Sequence, residues 1–423
     1  MMEILKKYSF DNINKENIIF IKLVSEFYTS LHQKAEILKE PHCLTSNLNN
    51  LYFSEKSIKE NIENHINSIL DCYGYFKTIK SSLEEFSEKD YIEFFSSKGI
   101  FNEMIEKGQY KEIAFSIIRI LNENNNTRRG IVDTPQIISD ICSKILQVKE
   151  NETCLDFAFG KGGLALEVGN KKIFGVEINE RTQQIDNLLL KIANKEGYVT
   201  LGDSLNIPIE AADVVVTNPP FSETIKNPKE NIEYLQWGNL SKIADLYYLS
   251  LALTKAKSRG AIITALGALF RTGNEGEVRN NIIKEGFIEG VILLPATIMY
   301  STAIPVCIVF FRKDKPCDKI FMFDASSEEF FKKIRGGVNI SSEKLKRIAE
   351  IYNNFEEIEN ISRFVSIDEV LLNDGSLTVI RYITPKKVKK DIKILYKDME
   401  ENISLAKFYG EKSNEILKKL LEE

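Results

Sequence analysis

Apolar stretches alternate with helical stretches between residues 153 and 311, and this pattern limits the possible folds more than any other feature. The apolar stretches are typical of buried strands and read TCLDFAF (153–159), KIFGVEI (172–178), YVTLGD (198–203), DVVVTN (213–218), AIITAL (261–266), FIEGVILL (287–294) and IPVCIVFF (304–311). Strands that alternate with helices predict an α/β fold with a doubly wound, mostly parallel, Rossmann-like sheet covered by helices on both faces.

Composition changes divide the chain into three predicted domains. Residues 1–125 keep near-helical spacing of apolar positions and predict a helical N-terminal scaffold or docking domain, which ends in the polar linker NENNNT (122–127). Residues 126–325 contain the predicted sheet. Residues 326–423 predict a helical C-terminal region, in which a heptad stripe after Pro385 indicates either docking onto a partner's helices or a self-contained surface helix.

Charge and residue usage exclude several classes of protein. The net charge of −5 argues against a protein that binds nucleic acid over most of its surface, although it allows a local basic cleft. Six cysteines without a CxxC pair predict neither a disulfide framework nor a zinc site, and they favour a cytoplasmic protein. All three histidines precede residue 66, so no histidine-bound metal is expected in the sheet domain. No apolar stretch is long enough to predict a membrane span.

The segment Asn218-Pro219-Pro220-Phe221 follows the fourth predicted strand. Neither proline has a backbone N–H, and both restrict the chain toward extended geometry, so the strand must stop here. An amide, a stiff carbonyl and an aromatic ring are therefore presented together at the carboxyl edge of the sheet, where open α/β sheets bind ligands.

A glycine loop and two acids end the three strands before this segment. Gly160 and Gly162 follow the first strand, Glu177 ends the second at a spacing that suits binding of ribose hydroxyls, and Asp203 ends the third, where it could meet an adenine amino group. A dinucleotide and S-adenosylmethionine both fit a loop of this kind. Two features favour the methyl donor. The helix after the loop is short for a site that binds pyrophosphate at a helix N-terminus, and NPPF has no evident role in hydride transfer.

The ordered motifs DFAFGKGG, VEIN, GDSL and NPPF resemble those of N6-adenine DNA methyltransferases. The chain resembles most closely the methylation subunit of type I restriction–modification systems, through GIVDTP before the first strand and through KIADLYYL, GALFRTGNEGEVRNN, LPATIMYSTAIPVCIVFF, FDAS and RFVSIDEVLLNDGSLTVIRYI after NPPF. Phe157 and Lys161 depart from it, since they replace the Pro and Ser that are usual in the family's DPxxGSGG loop.

This resemblance implies a site and its chemistry. The residues expected around S-adenosylmethionine are Thr134, Pro135, Asp156, Gly160, Gly162, Glu177, Asp203 and Asn218. Asn218, Pro219, Pro220 and Phe221 would handle an adenine flipped out of DNA: the Asn218 oxygen and the Pro219 carbonyl accept the amine's two hydrogens, and Phe221 stacks on the base.

The resemblance also implies partners, because the chain contains no evident target-recognition domain. A separate specificity subunit would choose the DNA sequence, and a nuclease subunit would join where the system restricts DNA. Two other functions stay open: methylation of RNA or of a protein amide, and a catalytically silent scaffold in a defence complex.

Overall fold

The computed structural model describes residues 100–124, 134–225, 236–239, 242–299, 305–334 and 337–383, and residues 18–20, 22–24, 26–27, 87 and 403–404. The described helices are α1 (Asn102–Glu106), α2 (Tyr110–Asn124), α3 (Gln136–Leu146), α4 (Gly163–Val168), α5 (Glu180–Ile192), α6 (Asp245–Lys255), α7 (Asn274–Lys284), α8 (Ser342–Asn353), α9 (Ile367–Leu372) and α10 (Ile380–Ile383). A 3₁₀ turn covers Leu266–Leu269. The predicted heptad stripe after Pro385 lies almost entirely outside the described residues.

The strands form one large sheet and one small hairpin. They are β1 (Thr153–Asp156), β2 (Lys172–Glu177), β3 (Glu196–Leu201), β4 (Ala212–Thr217), β5 (Ala256–Ala265), β6 (Ile288–Leu293), β7 (Val306–Arg312), β8 (Lys319–Asp324), β9 (Lys332–Ile334), β10 (Gly337–Asn339) and β11 (Ser362–Ser366). The large sheet has the order β11-β8-β6-β7-β5-β4-β1-β2-β3, and β9 pairs with β10.

The central sheet is mostly parallel, as the alternation of elements predicts. Strands β3, β2, β1, β4 and β5 are parallel neighbours, and β6 is parallel to β8. Strand β7 runs antiparallel between β5 and β6, and β11 pairs antiparallel with β8 at the edge. The predicted α/β class is therefore confirmed.

Both faces of the sheet are buried, which explains the nearly continuous apolar strands. Along β4, Val215 packs with α6 and α7 on one face, whereas Val214 and Val216 pack with α3 and α8 on the other. Successive side chains of a strand point to opposite faces, so a strand covered twice needs apolar residues at every position.

Helix α2 precedes the predicted domain boundary at residue 125, yet it packs on the sheet domain. Its Ile113 and Ile117 share a core cluster with Leu188 of α5 and with the described apolar residues between 18 and 27. Lys111 of α2 forms an ion pair of 2.9 Å with Glu167 of α4. The division of the chain at residue 125 stays a prediction, whereas this contact across it is part of the structure.

The predicted helical region after residue 325 contains strands as well as helices within residues 326–383. Strands β9, β10 and β11 lie there, and β11 joins the main sheet by pairing Phe364 with Phe321 of β8. Burial explains the pairing, because Val365 and Phe321 are both buried between the helices that cover this edge.

Candidate active site

The strand order reverses between β1 and β4, and the candidate site lies at the carboxyl ends of these two strands. Their register pairs Leu155 with Val215, so Asp156 and Asn218 follow within a few residues at the same edge. Open α/β sheets bind ligands at such a switch point, since the connections leave it on opposite faces and open a crevice. The structure thus brings the first glycine loop and the NPPF segment together.

The side chain of Asn218 is held by a residue far away in sequence. Its Nδ2 donates a hydrogen bond of 2.9 Å to Oγ1 of Thr134, just before α3. Its Oδ1 is buried and has no hydrogen-bond partner among the described residues. A buried acceptor left unpaired costs about 1–3 kcal/mol, so this oxygen is an acceptor that a ligand donor would satisfy.

Thr134 does not cap α3, although its sequence position predicts that role. Pro135 is the capping residue, and its carbonyl accepts hydrogen bonds from the N–H groups of Ile138 and Ser139. The Thr134 hydroxyl is consequently available to Asn218. The pair Thr134-Pro135 is typical of an N-cap followed by the first helical residue, so α3 begins one residue later than this pattern predicts.

The glycine loop after β1 uses its glycines for two reasons. Gly160 and Gly162 have φ values of +57° and +73°, which side chains with a Cβ rarely adopt. A Cβ at Gly162 would also lie 2.6 Å from the buried ring of Phe159, whereas the space beside Gly163 is open. The loop therefore packs against Phe159 at Gly162 and leaves open space beside Gly163.

Glu177 at the end of β2 and Asp203, two residues after β3, are anchored by backbone N–H groups. Glu177 Oε2 accepts from Gly160 N at 2.9 Å, and Oε1 accepts from Asn179 N at 2.8 Å, so this carboxylate joins the glycine loop to the start of α5. Asp203 Oδ1 accepts from Leu205 N at 3.0 Å. Both side chains are half-buried and keep lone pairs for further donors.

Asp156 and Glu177 bind protons more tightly than free carboxylates do. Burial raises the pKa of Asp156 to about 7, and the nearby Glu177 adds to the rise, whereas a hydrogen bond of 3.0 Å from Ala158 N opposes it. Burial also raises the pKa of Glu177. A cation beside these groups would restore their charged forms, because an opposite charge lowers the pKa of a carboxyl group.

The remainder of the NPPF segment is buried unevenly. Pro219 is buried and Pro220 is exposed. Phe221 is half-buried, and its ring packs against the apolar cluster beneath the sheet edge. The proposed roles of these residues toward a base stay predictions.

A buried network fixes the chain directly after NPPF, and it was not predicted. Asp245, at the start of α6, accepts from the Ser222 N–H at 2.7 Å and forms an ion pair with Arg271. Arg271 also bonds Glu275 at 2.7 Å. These residues stand in the segments KIADLYYL and GALFRTGNEG, which carry the resemblance but show no chemical pattern of their own.

The model of the N-6 DNA methylase family matches residues 112–391, which is more than half of the chain. This chain belongs to the N-6 DNA methylase family. The match includes most of α2, the glycine loop, NPPF and β11, so the family segment extends past the predicted limits of the sheet domain on both sides.

Relatives of this N-6 DNA methylase are methylase subunits of type I restriction enzymes. The chain is 30% identical over 320 residues to that of MjaVII and 27% identical over 332 residues to that of MjaVIII, both from Methanocaldococcus jannaschii. Each alignment covers 69% of this chain but 55% and 57% of those proteins, so the chain spans little more than half of their length.

A solved structure shares the fold. The type I restriction–modification methyltransferase subunit from Streptococcus thermophilus aligns with a TM-score of 0.69 at 19% identity, over 90% of this chain and 97% of that one. At this level of identity the similarity concerns the fold alone.

Both departures of this N-6 DNA methylase from the usual loop sequence have partners. Lys161 donates from Nζ to Oδ1 of Asn122 on α2, so its ammonium group is engaged by the helix before the sheet domain. Phe157 stacks on Tyr248 of α6, with ring centroids 6.1 Å apart and an interplanar angle of 18°.

The described residues contain no group of three or more His, Cys, Asp or Glu side chains arranged to hold a metal ion. Among the helices that the structure describes, none is long and apolar enough to cross a membrane.

Proposed function

We propose that this chain is a catalytic subunit that transfers a methyl group from S-adenosylmethionine to the N6 amine of adenine in DNA, within a type I-like restriction–modification complex. Family membership supports the reaction class, and the names of the relatives support the complex. A separate specificity subunit would select the sequence, and the proposed substrate base is flipped out of the duplex to reach the site.

The observation that carries this proposal is the state of Asn218. Thr134 uses the donor of its amide, and the acceptor Oδ1 is buried and unpaired. An adenine amine is a hydrogen-bond donor, so it would satisfy this oxygen. Its nitrogen would then lie at the carboxyl ends of β1 and β4, near Asp156. Holding the amine's hydrogens favours the geometry in which its lone pair points at the methyl group.

The residues present fit S-adenosylmethionine better than a dinucleotide. Asp156, Glu177 and Asp203 bring three carboxyl groups to the cofactor edge, and the lysine of the glycine loop is bound to Asn122. A pyrophosphate would be repelled there, whereas a sulfonium cation would be attracted. When bound, S-adenosylmethionine supplies an activated methyl group. The residues of this chain would orient the amine that receives it.

Within that site each residue has a proposed task. Glu177 would accept hydrogen bonds from the ribose hydroxyls, and Asp203 would accept one from the adenine amino group of the cofactor. Thr134 and Pro135 would border the cofactor while Thr134 orients Asn218. Phe221 would stack on the target base, with Pro219 supplying the second acceptor through its carbonyl.

The test is to co-express the full chain with its genomic neighbours and to map N6-methyladenine in the host DNA. We expect methylated adenines at one defined sequence, and none with Asn218→Ala, which should still bind S-adenosylmethionine in calorimetry. Cofactor binding without adenine methylation would contradict DNA as the substrate and favour methylation of RNA or of a protein amide. An assembled complex that binds no cofactor would contradict catalysis altogether and favour a scaffold.

A further inference from the structure

Tyr248 contacts both halves of the candidate site, namely the cofactor half that follows β1 and the target half that begins at NPPF. It lies in the first turn of α6 and is buried. Its ring stacks on Phe157, the residue after Asp156 in the cofactor half. Its hydroxyl donates a hydrogen bond of 3.0 Å to Oε2 of Glu223, two residues after Phe221 in the target half.

These contacts are additional to those that fix the backbone of the target half. The Ala244 N–H donates to the Glu223 carbonyl at 2.9 Å, and Asp245 holds the Ser222 N–H. These two bonds fix the backbone at Ser222 and Glu223, and the Tyr248 hydroxyl fixes the Glu223 side chain. The Tyr248 hydroxyl thereby connects the Glu223 side chain to a ring that stacks on Phe157, the residue between β1 and the glycine loop.

We propose that Tyr248 is a positioning residue that links the cofactor loop to the segment after NPPF, so that the target base is held correctly only while Phe157 is in place. The proposal rests on the methyl-transfer function proposed above. It assigns a shared role to Phe157 and Glu223, for which the sequence motifs provide no role.

The surroundings of Tyr248 keep its hydroxyl a donor. Burial raises the pKa of this phenol well above its ordinary value, and the carboxylates of Glu223, Asp203 and Asp245 raise it further. The hydroxyl consequently stays protonated throughout the neutral range.

The experiment compares Tyr248→Phe with wild type, using the full chain co-expressed with its genomic neighbours. Calorimetry measures binding of S-adenosylmethionine, and transfer of a radiolabelled methyl group to sheared genomic DNA from a strain lacking this gene measures turnover. We expect turnover at saturating cofactor to fall about tenfold, in line with loss of a hydrogen bond to a charged group, while the dissociation constant for the cofactor changes less than about twofold. Tyr247→Phe, the same change one residue earlier, should leave both unchanged.

A double-mutant cycle separates linkage from simple support. If Tyr248 joins the two halves, Phe157→Leu and Glu223→Ala together should reduce turnover less than the product of their separate reductions. Multiplicative losses, or turnover of Tyr248→Phe equal to that of wild type, would overturn the linkage and leave the methyltransferase proposal intact. A wild-type complex without methyl transfer would instead overturn the proposed function, and the linkage with it.

Discussion

The hydroxyl of Thr134 accepts a hydrogen bond of 2.9 Å from Nδ2 of Asn218, which joins the segment before α3 to the residue after β4. The bond fixes the orientation of the Asn218 amide, because it uses the donor and leaves Oδ1 as the unpaired acceptor. The structure therefore presents the oxygen, rather than the nitrogen, to a ligand donor.

Thr134→Val should lower methyl transfer about tenfold, because it removes the acceptor that orients Asn218 and leaves a donor unpaired. Thr134→Ser keeps a hydroxyl and is the matched control, for which we expect nearly full activity. Steady-state turnover with saturating S-adenosylmethionine measures the effect. Equal activity of the valine and serine variants would show that the hydrogen bond is dispensable.

Glu177→Ala should weaken binding of S-adenosylmethionine at least about tenfold, because a carboxylate that accepts hydrogen bonds contributes more than a neutral group. The carboxylate also receives the Gly160 and Asn179 N–H groups, so its loss would loosen the glycine loop. Isothermal titration calorimetry checks this, with Glu180→Ala as a control on the exposed first turn of α5. Unaltered affinity would refute the ribose assignment.

Cofactor affinity should depend on pH through Asp156. The pKa of Asp156 is about 7 in the free protein and would fall when a cation binds. Below pH 7 this carboxyl group is mostly protonated, so cofactor binding must release the proton and becomes weaker. We expect binding about tenfold weaker at pH 6 than at pH 8, since one pKa unit corresponds to a factor of ten. Calorimetry at both pH values should show this for wild type, and Asp156→Asn should bind weakly with little pH dependence. A pH-independent affinity in wild type would contradict the role of Asp156.

Arg271→Ala should lower the free energy of unfolding by about 3 kcal/mol, because it leaves the buried carboxylates of Asp245 and Glu275 without their cation. Arg347→Ala is the control, since the side chains of its ion pair with Glu356 are 43% and 40% exposed and its removal should change stability far less. Urea denaturation of both variants gives the comparison. Similar losses in the two variants would mean that the Arg271 network does not hold the segment after NPPF.

Local patterns in the sequence predict the strands and the helix starts that depend on neighbouring residues. The apolar runs correspond to β1, β2 and β4 within a few residues. Asn179 caps α5 by accepting from Thr182 N at 3.0 Å, a role that asparagine commonly takes just before a helix. These features depend on burial and on hydrogen bonds between residues close in the chain, which a pattern can show.

Contacts between distant segments cannot be predicted in this way. Nothing near Thr134 indicates that its hydroxyl meets Asn218 instead of capping α3, since the two residues are 84 positions apart. Strand β11 is short and only partly apolar, and its place beside β8 depends on a surface that other segments create. Asp245, Tyr248 and Arg271 likewise acquire roles only through their spatial neighbours.

The insertion of β7 between β5 and β6 has a consequence for the time course of folding. Residues 288–293 leave the ribosome before residues 306–312, yet β6 reaches the rest of the sheet only through β7. The half made of β3, β2, β1, β4 and β5 has its own parallel pairing and can assemble first, as early segments of long chains commonly do. Asp156 and Asn218 therefore meet within the half of the sheet that needs no later strand, whereas β6 and β8 can join the sheet only after β7 has paired with β5.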